Sequence, residues 1–275
     1  MTKFLILGDA HGRRPRIHYK GFDAILATGD FCSDAPRKYM FQAIRIAKEQ
    51  SEPGLEWYDL VGRKKAREMI EKSIFDGRKV LKRLNSLGVP IYVVPGNWDW
   101  TGEDSSWAYL RRDRFSRMLK GLPNIIDVHG KMADCGEHAI IGYGISSGPE
   151  YPQSKAAQKA LGAHLKARKK EYLYNLQGLS KLFCRAKKPV IFLSHNVPYN
   201  TPLDKITDKG SPRYGFHYGS VIVRELIKRH QPPVSVGGHM HEHHAGYQMG
   251  KTIAINAGFG PMANTLLEIT GKMVK

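Results

Sequence analysis

The chain has 275 residues and a mass of 31.0 kDa, enough for a large core, and its 41% hydrophobic and 25% charged content is that of a soluble globular protein. Lys and Arg number 43 against 25 Asp and Glu, giving a net charge of +18 and a pI near 9.8, a field that attracts phosphates on small molecules, nucleic acids or anionic surfaces. No apolar stretch approaches the ~20 residues of a membrane helix, and the scattered Cys32, Cys135 and Cys184 exclude a disulfide framework or cysteine zinc site and point to a reducing, cytoplasmic setting.

No basic leader precedes a long apolar segment, so the N-terminus is expected to be a strand rather than a signal peptide. Lys3-Phe4-Leu5-Ile6-Leu7-Gly8 reads as that buried strand, and it opens into a tight loop at Asp9-Ala10-His11. Residues 22–28 read as a second strand ending at Gly29-Asp30. Residues 36–87 are expected to form two helices, split by a turn at Ser51-Glu52-Pro53-Gly54 and stopped by Gly88 and Pro90. Asp34, four residues after Asp30, is either an outer partner of the site or, the preferred reading, a helix cap ahead of Pro36.

Residues 89–94 form a third expected strand, running into Pro95-Gly96-Asn97-Trp98-Asp99. A polar, aromatic-bearing stretch follows over 101–120, with Trp100 and Trp107 read as rim packing. A strand pair is then expected around 125–128 and 139–143, and Ser146-Ser147-Gly148-Pro149 marks an exposed loop. Residues 153–188 look helical and strongly basic, with Glu171 their acidic residue. That segment is a solvated face or, alternatively, a phosphate-tracking surface with Tyr172 and Tyr174 available to stack on bases.

Pro189-Val190-Ile191-Phe192-Leu193 is a buried strand that delivers Ser194-His195. A helix is expected from the cap Ser220 to His230, before Pro232-Pro233. Val234-Ser235-Val236 leads into Gly237-Gly238-His239-Met240-His241, and residues 252–255 and 265–269 read as a closing strand pair. With no repeat and no linker, residues 1–275 read as a single domain with helical insertions near 36–87 and 153–188.

The chemistry-bearing residues share one placement. Asp9 with His11, Asp30, Asn97, His195, and His239 with His241 each follow an apolar strand, where ligand sites of α/β proteins lie. Carboxylates, imidazoles and an amide oxygen suit borderline divalent metals, and two such ions ~3.5–4 Å apart can share a carboxylate and a hydroxide. Glycines at Gly8, Gly29, Gly96 and Gly238 let the backbone turn beside each candidate ligand. His243 and His244 extend the C-terminal histidine tract, while His18, His138, His164 and His230 lack ligand-like context and read as ordinary histidines.

Asp9-x-His11, Gly29-Asp30, Gly96-Asn97-x-Asp99, His195 and Gly238-His239-x-His241 occur in the order and rough spacing of the calcineurin-like metallophosphoesterase superfamily, which the chain resembles over most of its length. A finer likeness, to prokaryotic phosphoesterases related to cyclic-nucleotide phosphodiesterases of the Icc type, lies in His195-Asn196-Val197-Pro198 with Thr201, Asp204, Gly219-Ser220, Arg224 and Gly238-His239-Met240-His241-Glu242. The resemblance implies a four-layer α-β-β-α sandwich with two mixed sheets and a metal site at strand ends. It implies one metal on Asp9, His11, Asp30 and His241, and a second on the bridging Asp30 with Asn97, His195 and His239. Manganese is the first expectation, with iron, zinc, nickel and cobalt as alternatives. Asp9, Asp30, Asn97 and His195 would then carry the chemistry of a phosphoric ester hydrolase, in which a metal-bridging hydroxide attacks phosphorus in line.

One position departs from the family pattern. Many members have a histidine between the asparagine and acid of the third motif, where it contacts phosphate and protonates the leaving group. Here it is Trp98, whose indole offers one N–H donor and no acid near neutral pH. Asp99 would by this reading lack its usual partner, and His129, Tyr199, His217, His243 and His244 are candidate substitutes. Asn97 and Trp98 are the expected substrate contacts, with Trp98 stacking on a base or walling the pocket. A phosphodiester is therefore the favoured substrate. The rivals are a nuclease guided by the basic 153–188 segment and a scaffold that keeps the fold without turnover.

Overall fold

The computed structural model describes residues 1–49, 54–102, 105–211 and 213–274. The first half holds β1 (Thr2–Leu7), β2 (Ala24–Ala27), α1 (Arg37–Glu49), α2 (Trp57–Val61), α3 (Arg63–Asn85), β3 (Ile91–Val93), α4 (Phe115–Leu119) and β4 (Ile125–Asp127). Next come β5 (Met132–Cys135), β6 (His138–Tyr143), α5 (Lys155–Leu161), α6 (His164–Arg185), β7 (Val190–Asn196) and α7 (Val221–His230). The chain closes through β8 (Val234–Gly238), β9 (His244–Met249), β10 (Thr252–Ala257), β11 (Asn264–Thr270) and β12 (Met273–Val274).

Two six-stranded sheets result, in the orders β12-β11-β1-β2-β3-β4 and β5-β6-β7-β8-β10-β9. Each is parallel at its centre and antiparallel at an edge, so both are mixed. Side chains alternate faces along a strand, which turns one strand into two interfaces. Phe4 and Ile6 of β1 meet Ile191 and Leu193 of β7 and Val234 and Val236 of β8 between the sheets. Leu5 and Leu7 point the other way, into a cluster with Ile70, Leu81 and Leu84 of α3. On the far side Phe192 packs under Leu176 and Leu179 of α6 and Ile222 and Leu226 of α7. The order is helix, sheet, sheet, helix.

Several local expectations change. The 125–128 and 139–143 segments do not pair; β4 ends the first sheet, and β6 lies in the second between β5 and β7. Residues 252–255 and 265–269 likewise part company, since β10 pairs with β8 and β9 while β11 pairs with β1. Each segment is apolar enough to be covered on both faces, so local pattern does not choose its neighbour. Among its described residues the 36–87 region carries three helices, because Gly62 at φ +80° separates α2 from α3. The anticipated turn at Ser51-Glu52-Pro53 lies outside the described residues. Asp34 meets the Arg37 guanidinium at 3.5 Å instead of capping with its carboxylate. Ser146 is buried, hydrogen-bonded to Glu150, so that loop is only partly exposed. Trp100 and Trp107 belong to the core rather than the rim.

Candidate metal centre

The parallel strands β1, β2, β3, β7 and β8 end on loops that converge above the two sheets. The first two loops are zipped together, with Ala10 N–H and His11 N–H both donating to the Asp30 carbonyl at 3.1 and 2.8 Å. His195 sits where the β7–β8 register shifts, between Leu193 and Asn196, an irregularity that re-aims a side chain at a strand end. His11, Asp30 and His239 have φ of +46°, +50° and +66°, left-handed backbone that non-glycine residues rarely adopt and that gathers at functional sites.

Two groups of ligand-type side chains result: Asp9 with His11 and His241, and Asp30 with His195 and His239, each with ligand atoms within 4.8 Å of one another. His241 Nε2 lies 2.9 Å from Asp9 Oδ2 and 3.1 Å from His11 Nε2. Asp30 joins the groups, because its Oδ2 is 3.6 Å from His11 Nε2 and 3.7 Å from His195 Nε2. Asn97 presents Oδ1 to His195 Nε2 at 2.9 Å. All the expected ligands therefore meet in one place.

Outer partners hold these groups in position. Asp9 accepts the Thr28 hydroxyl at Oδ1, 3.1 Å, and the His239 N–H at Oδ2, 2.9 Å. His195 Nδ1 lies 2.8 Å from the Thr28 carbonyl, which requires the proton on Nδ1 and turns the Nε2 lone pair toward Asn97 and Asp30. Asp30 Oδ1 accepts the Trp98 N–H at 2.7 Å, so Trp98 serves the site through its backbone whatever its ring does. The close approach needs glycine: a Cβ on Gly238 would stand 2.5 Å from Asp9 Oδ1, and one on Gly96 2.1 Å from Asp30 Oδ1.

Burial lowers the His11 imidazole to about 4 and His239 to about 3, and it lowers His195 as well, so these rings are neutral donors near pH 7. Burial pushes the Asp30 carboxyl well up, and the charges of Asp9 and Asp99 push it further. Asp9 goes the other way, since His195 and His241 outweigh the burial that would raise it. Buried carboxylates beside neutral imidazoles are unfavourable unless cations compensate them. The donor set, mixed oxygen and nitrogen, fits divalent ions of the borderline kind.

Asp99 has a different role from the one expected. It is fully buried, and its Oδ1 accepts the N–H groups of Phe31 at 2.8 Å and Cys32 at 3.0 Å while Oδ2 accepts that of Gly96 at 2.8 Å. Burial raises its pKa to about 6 against those bonds. It braces the Asp30 and Asn97 loops against each other and does not lack partners.

The candidate substitutes for the missing histidine are spoken for. His129 Nδ1 accepts the Gly144 N–H, His243 Nε2 lies 2.6 Å from the Lys205 carbonyl, and His244 Nε2 lies 2.9 Å from Thr265 Oγ1. His217 pairs with the buried Asp204 at 2.7 Å, and Tyr199 packs against it. No third ligand group occurs among the described residues. Tyr174 is exposed on α6, but Tyr172 leans on Tyr151.

Residues 13–275 match the family described as metallophosphoesterase, calcineurin superfamily. The chain belongs to that family. Together with the two ligand groups, this implies a metal-dependent enzyme acting on phosphate esters, with two divalent ions. The matched span begins just after Asp9 and His11, so geometry rather than the match carries those two residues.

No curated protein matches this metallophosphoesterase. Among solved structures, one crystal structure is 19% identical with a TM-score of 0.64, covering 99% of this chain and 97% of that one. TT1561 of Thermus thermophilus is 16% identical with a TM-score of 0.54, covering 100% of this chain and 97% of its own. A dimetal phosphatase from Danio rerio is 10% identical with a TM-score of 0.50, covering 97% and 91%. Identities this low show a shared fold. No described helix of the metallophosphoesterase is long and apolar enough to cross a membrane.

Two contributors to the centre were not read from the sequence. Thr28 holds both Asp9 and His195, and its signal was its place just before Gly29-Asp30. Phe259 packs 5.4 Å from the His241 ring and 6.3 Å from His11, on a loop tied to the first one by Gly260 N–H donating to the Asp9 carbonyl. Its signal was a further glycine-rich strand end, Gly258-Phe259-Gly260.

Proposed function

We propose that this metallophosphoesterase is a dinuclear phosphodiesterase of the Icc-related branch, one domain working in the cytoplasm with manganese as the favoured ion. Asp9, His11, Asp30 and His241 would hold one ion, and Asp30, Asn97, His195 and His239 the other. The observation that carries this reading is Asp30 Oδ2, which faces His11 Nε2 at 3.6 Å and His195 Nε2 at 3.7 Å as a bridging carboxylate would. When bound, two divalent ions lower the pKa of a shared water and offset the charge that builds on the phosphoryl oxygens.

The chain's own residues orient that arrangement. Thr28 fixes the His195 tautomer, and the Trp98 N–H holds the Asp30 oxygen that does not face the histidines. Asn97 and Trp98, both half-buried, would be the substrate contacts. An indole supplies no proton to a departing alkoxide, so leaving groups that depart unprotonated are favoured. This supports a diester preference, as do the Icc-like residues of the C-terminal half.

The test is turnover of an activated aryl phosphodiester against the matching monoester, with manganese added and bound metal measured in the same preparation. Diester turnover at least tenfold faster is expected. Monoester turnover faster by tenfold overturns the diester assignment, and no bound metal overturns the dinuclear one.

A further inference from the structure

A second feature of the metal-centre loop is a groove of about 330 Å³ lined by Gly12, Arg14, Lys79, Val80 and Arg83. It begins one residue beyond His11. Gly12 lies directly on α3, where an added Cβ would meet the Asp76 Cβ at 2.9 Å. Arg83 is seven residues further along that helix, about 10 Å at ~1.5 Å per residue, so the groove runs along the outer helical layer from the loop that carries His11.

Its lining is cationic. Among the described residues, none of Arg14, Lys79 and Arg83 has a carboxylate within ion-pair distance. Asp76, beside Gly12 at the head of the groove, is engaged by Lys72 at 2.8 Å. Arg83 lies in the last turn of α3, where a cation complements the helix dipole. That accounts for Arg83 alone. Arg14 arrives from a separate segment, and no dipole explains its joining two like charges. Arg13 continues the run toward the centre, with its guanidinium 5.4 Å over the Phe259 ring that flanks His241.

We infer that this groove binds a second phosphate of the substrate, remote from the one that is cleaved, as in a nucleotide strand running away from the metal centre. The inference rests on the phosphodiesterase reading but makes a separate claim. Lys79 Nζ also lies 4.3 Å from the centroid of the Phe75 ring, a contact that leaves its charge in place. Bidentate guanidinium groups suit phosphate, and three cations without a carboxylate partner favour a polyanion over a single charge.

The test compares the p-nitrophenyl ester of thymidine 5′-phosphate with the same ester carrying two further nucleotides. The wild type is expected to show at least a tenfold lower KM for the longer ester. In Arg14→Glu/Arg83→Glu that KM ratio should fall to within twofold. Lys166→Glu/Lys170→Glu, an equal change of charge on α6 in the opposite helical layer, should keep it. Equal KM values in the wild type, a ratio that survives the groove variant, or an equal fall in the α6 variant overturns the groove.

If neither ester turns over, the hydrolase reading fails on its own, and equilibrium binding decides the groove. Thymidylate trinucleotide should then bind at least tenfold tighter than thymidine 5′-phosphate, and lose that advantage in the groove variant. Equal binding overturns it.

Discussion

His11 and His241 point their Nε2 atoms at each other across 3.1 Å, although one follows the first strand and the other lies 230 residues later. Two imidazole nitrogens that close share a proton or face a common cation. Burial lowers His11 to about 4, which disfavours an imidazolium and leaves either a neutral N–H or a cation between the rings. Stripping the protein with a chelator and adding manganese should therefore raise its melting temperature. An ion at a hundred times its dissociation constant adds about 2.7 kcal/mol, or roughly 5–10 °C for a chain of this size. A scan unchanged by manganese, zinc, cobalt, nickel and iron would remove the cation from this pair.

Gly238→Ala separates the site from the scaffold. The new methyl would press on Thr28 Oγ1 at 2.4 Å and Asp9 Oδ1 at 2.5 Å, with no left-handed φ to strain. Asp9 must then move. Bound metal and activity should fall by at least about 100-fold, beyond the 10–100-fold typical of outer partners. Metal analysis beside a far-UV melt reads both effects, and full metal content in the variant would contradict the Asp9 placement.

Asp99→Asn tests the brace. The amide keeps an acceptor for one side, but its NH2 group would face either Gly96 N–H or the Phe31 and Cys32 donors. Leaving buried donors unsatisfied costs about 1–3 kcal/mol each, so urea unfolding should show a loss of about 2–4 kcal/mol. A loss under about 0.5 kcal/mol would show that Asp99 does not brace the two loops.

Acid should act on the metal-free protein through His11. Its folded pKa, about 4, lies below the ordinary 6.5, so the folded state binds fewer protons there. The stability it contributes is complete above pH 6.5 and is lost as pH falls from there through about 4. Asp30 and Asp99, both shifted up by burial, work in the opposite sense, so the comparison must isolate the histidine. The stability of wild type relative to His11→Gln, measured by denaturant at pH 7 and pH 4.5, should decline toward acid. A constant difference would show that His11 is not buried neutral.

Trp98→His restores the family's usual residue at the edge of the centre. An added general acid contributes typically 10²–10⁴-fold to a step limited by leaving-group protonation. Asp99 is committed to backbone N–H groups and would orient the new ring poorly, so a gain of about tenfold in monoester turnover is expected, with diester turnover little changed. A fall in both would mean that the indole itself makes a necessary substrate contact.

How legible each part was depends on the range of the interaction behind it. Asp9, His11, Asp30, Asn97, His195, His239 and His241 could be picked out because each follows an apolar run and most sit beside a glycine, and the structure brings them all to one point. Asp99 was misread because its partners, the N–H groups of Phe31 and Cys32, belong to a loop nearly seventy residues earlier. The basic groove was not read at all, since Arg14 and Lys79 become neighbours only when the first loop lies down on α3.

The sequence by itself determined which residue types stand at the strand ends, because a strand and the turn that stops it are written in a few adjacent positions. Only the tertiary structure decided which strands are neighbours. Segments 252–255 and 265–269 lie close in the chain yet enter opposite sheets, as β10 beside β8 and β11 beside β1. Pairing is chosen by burial of both strand faces across the whole chain, a free energy that no short window of residues contains.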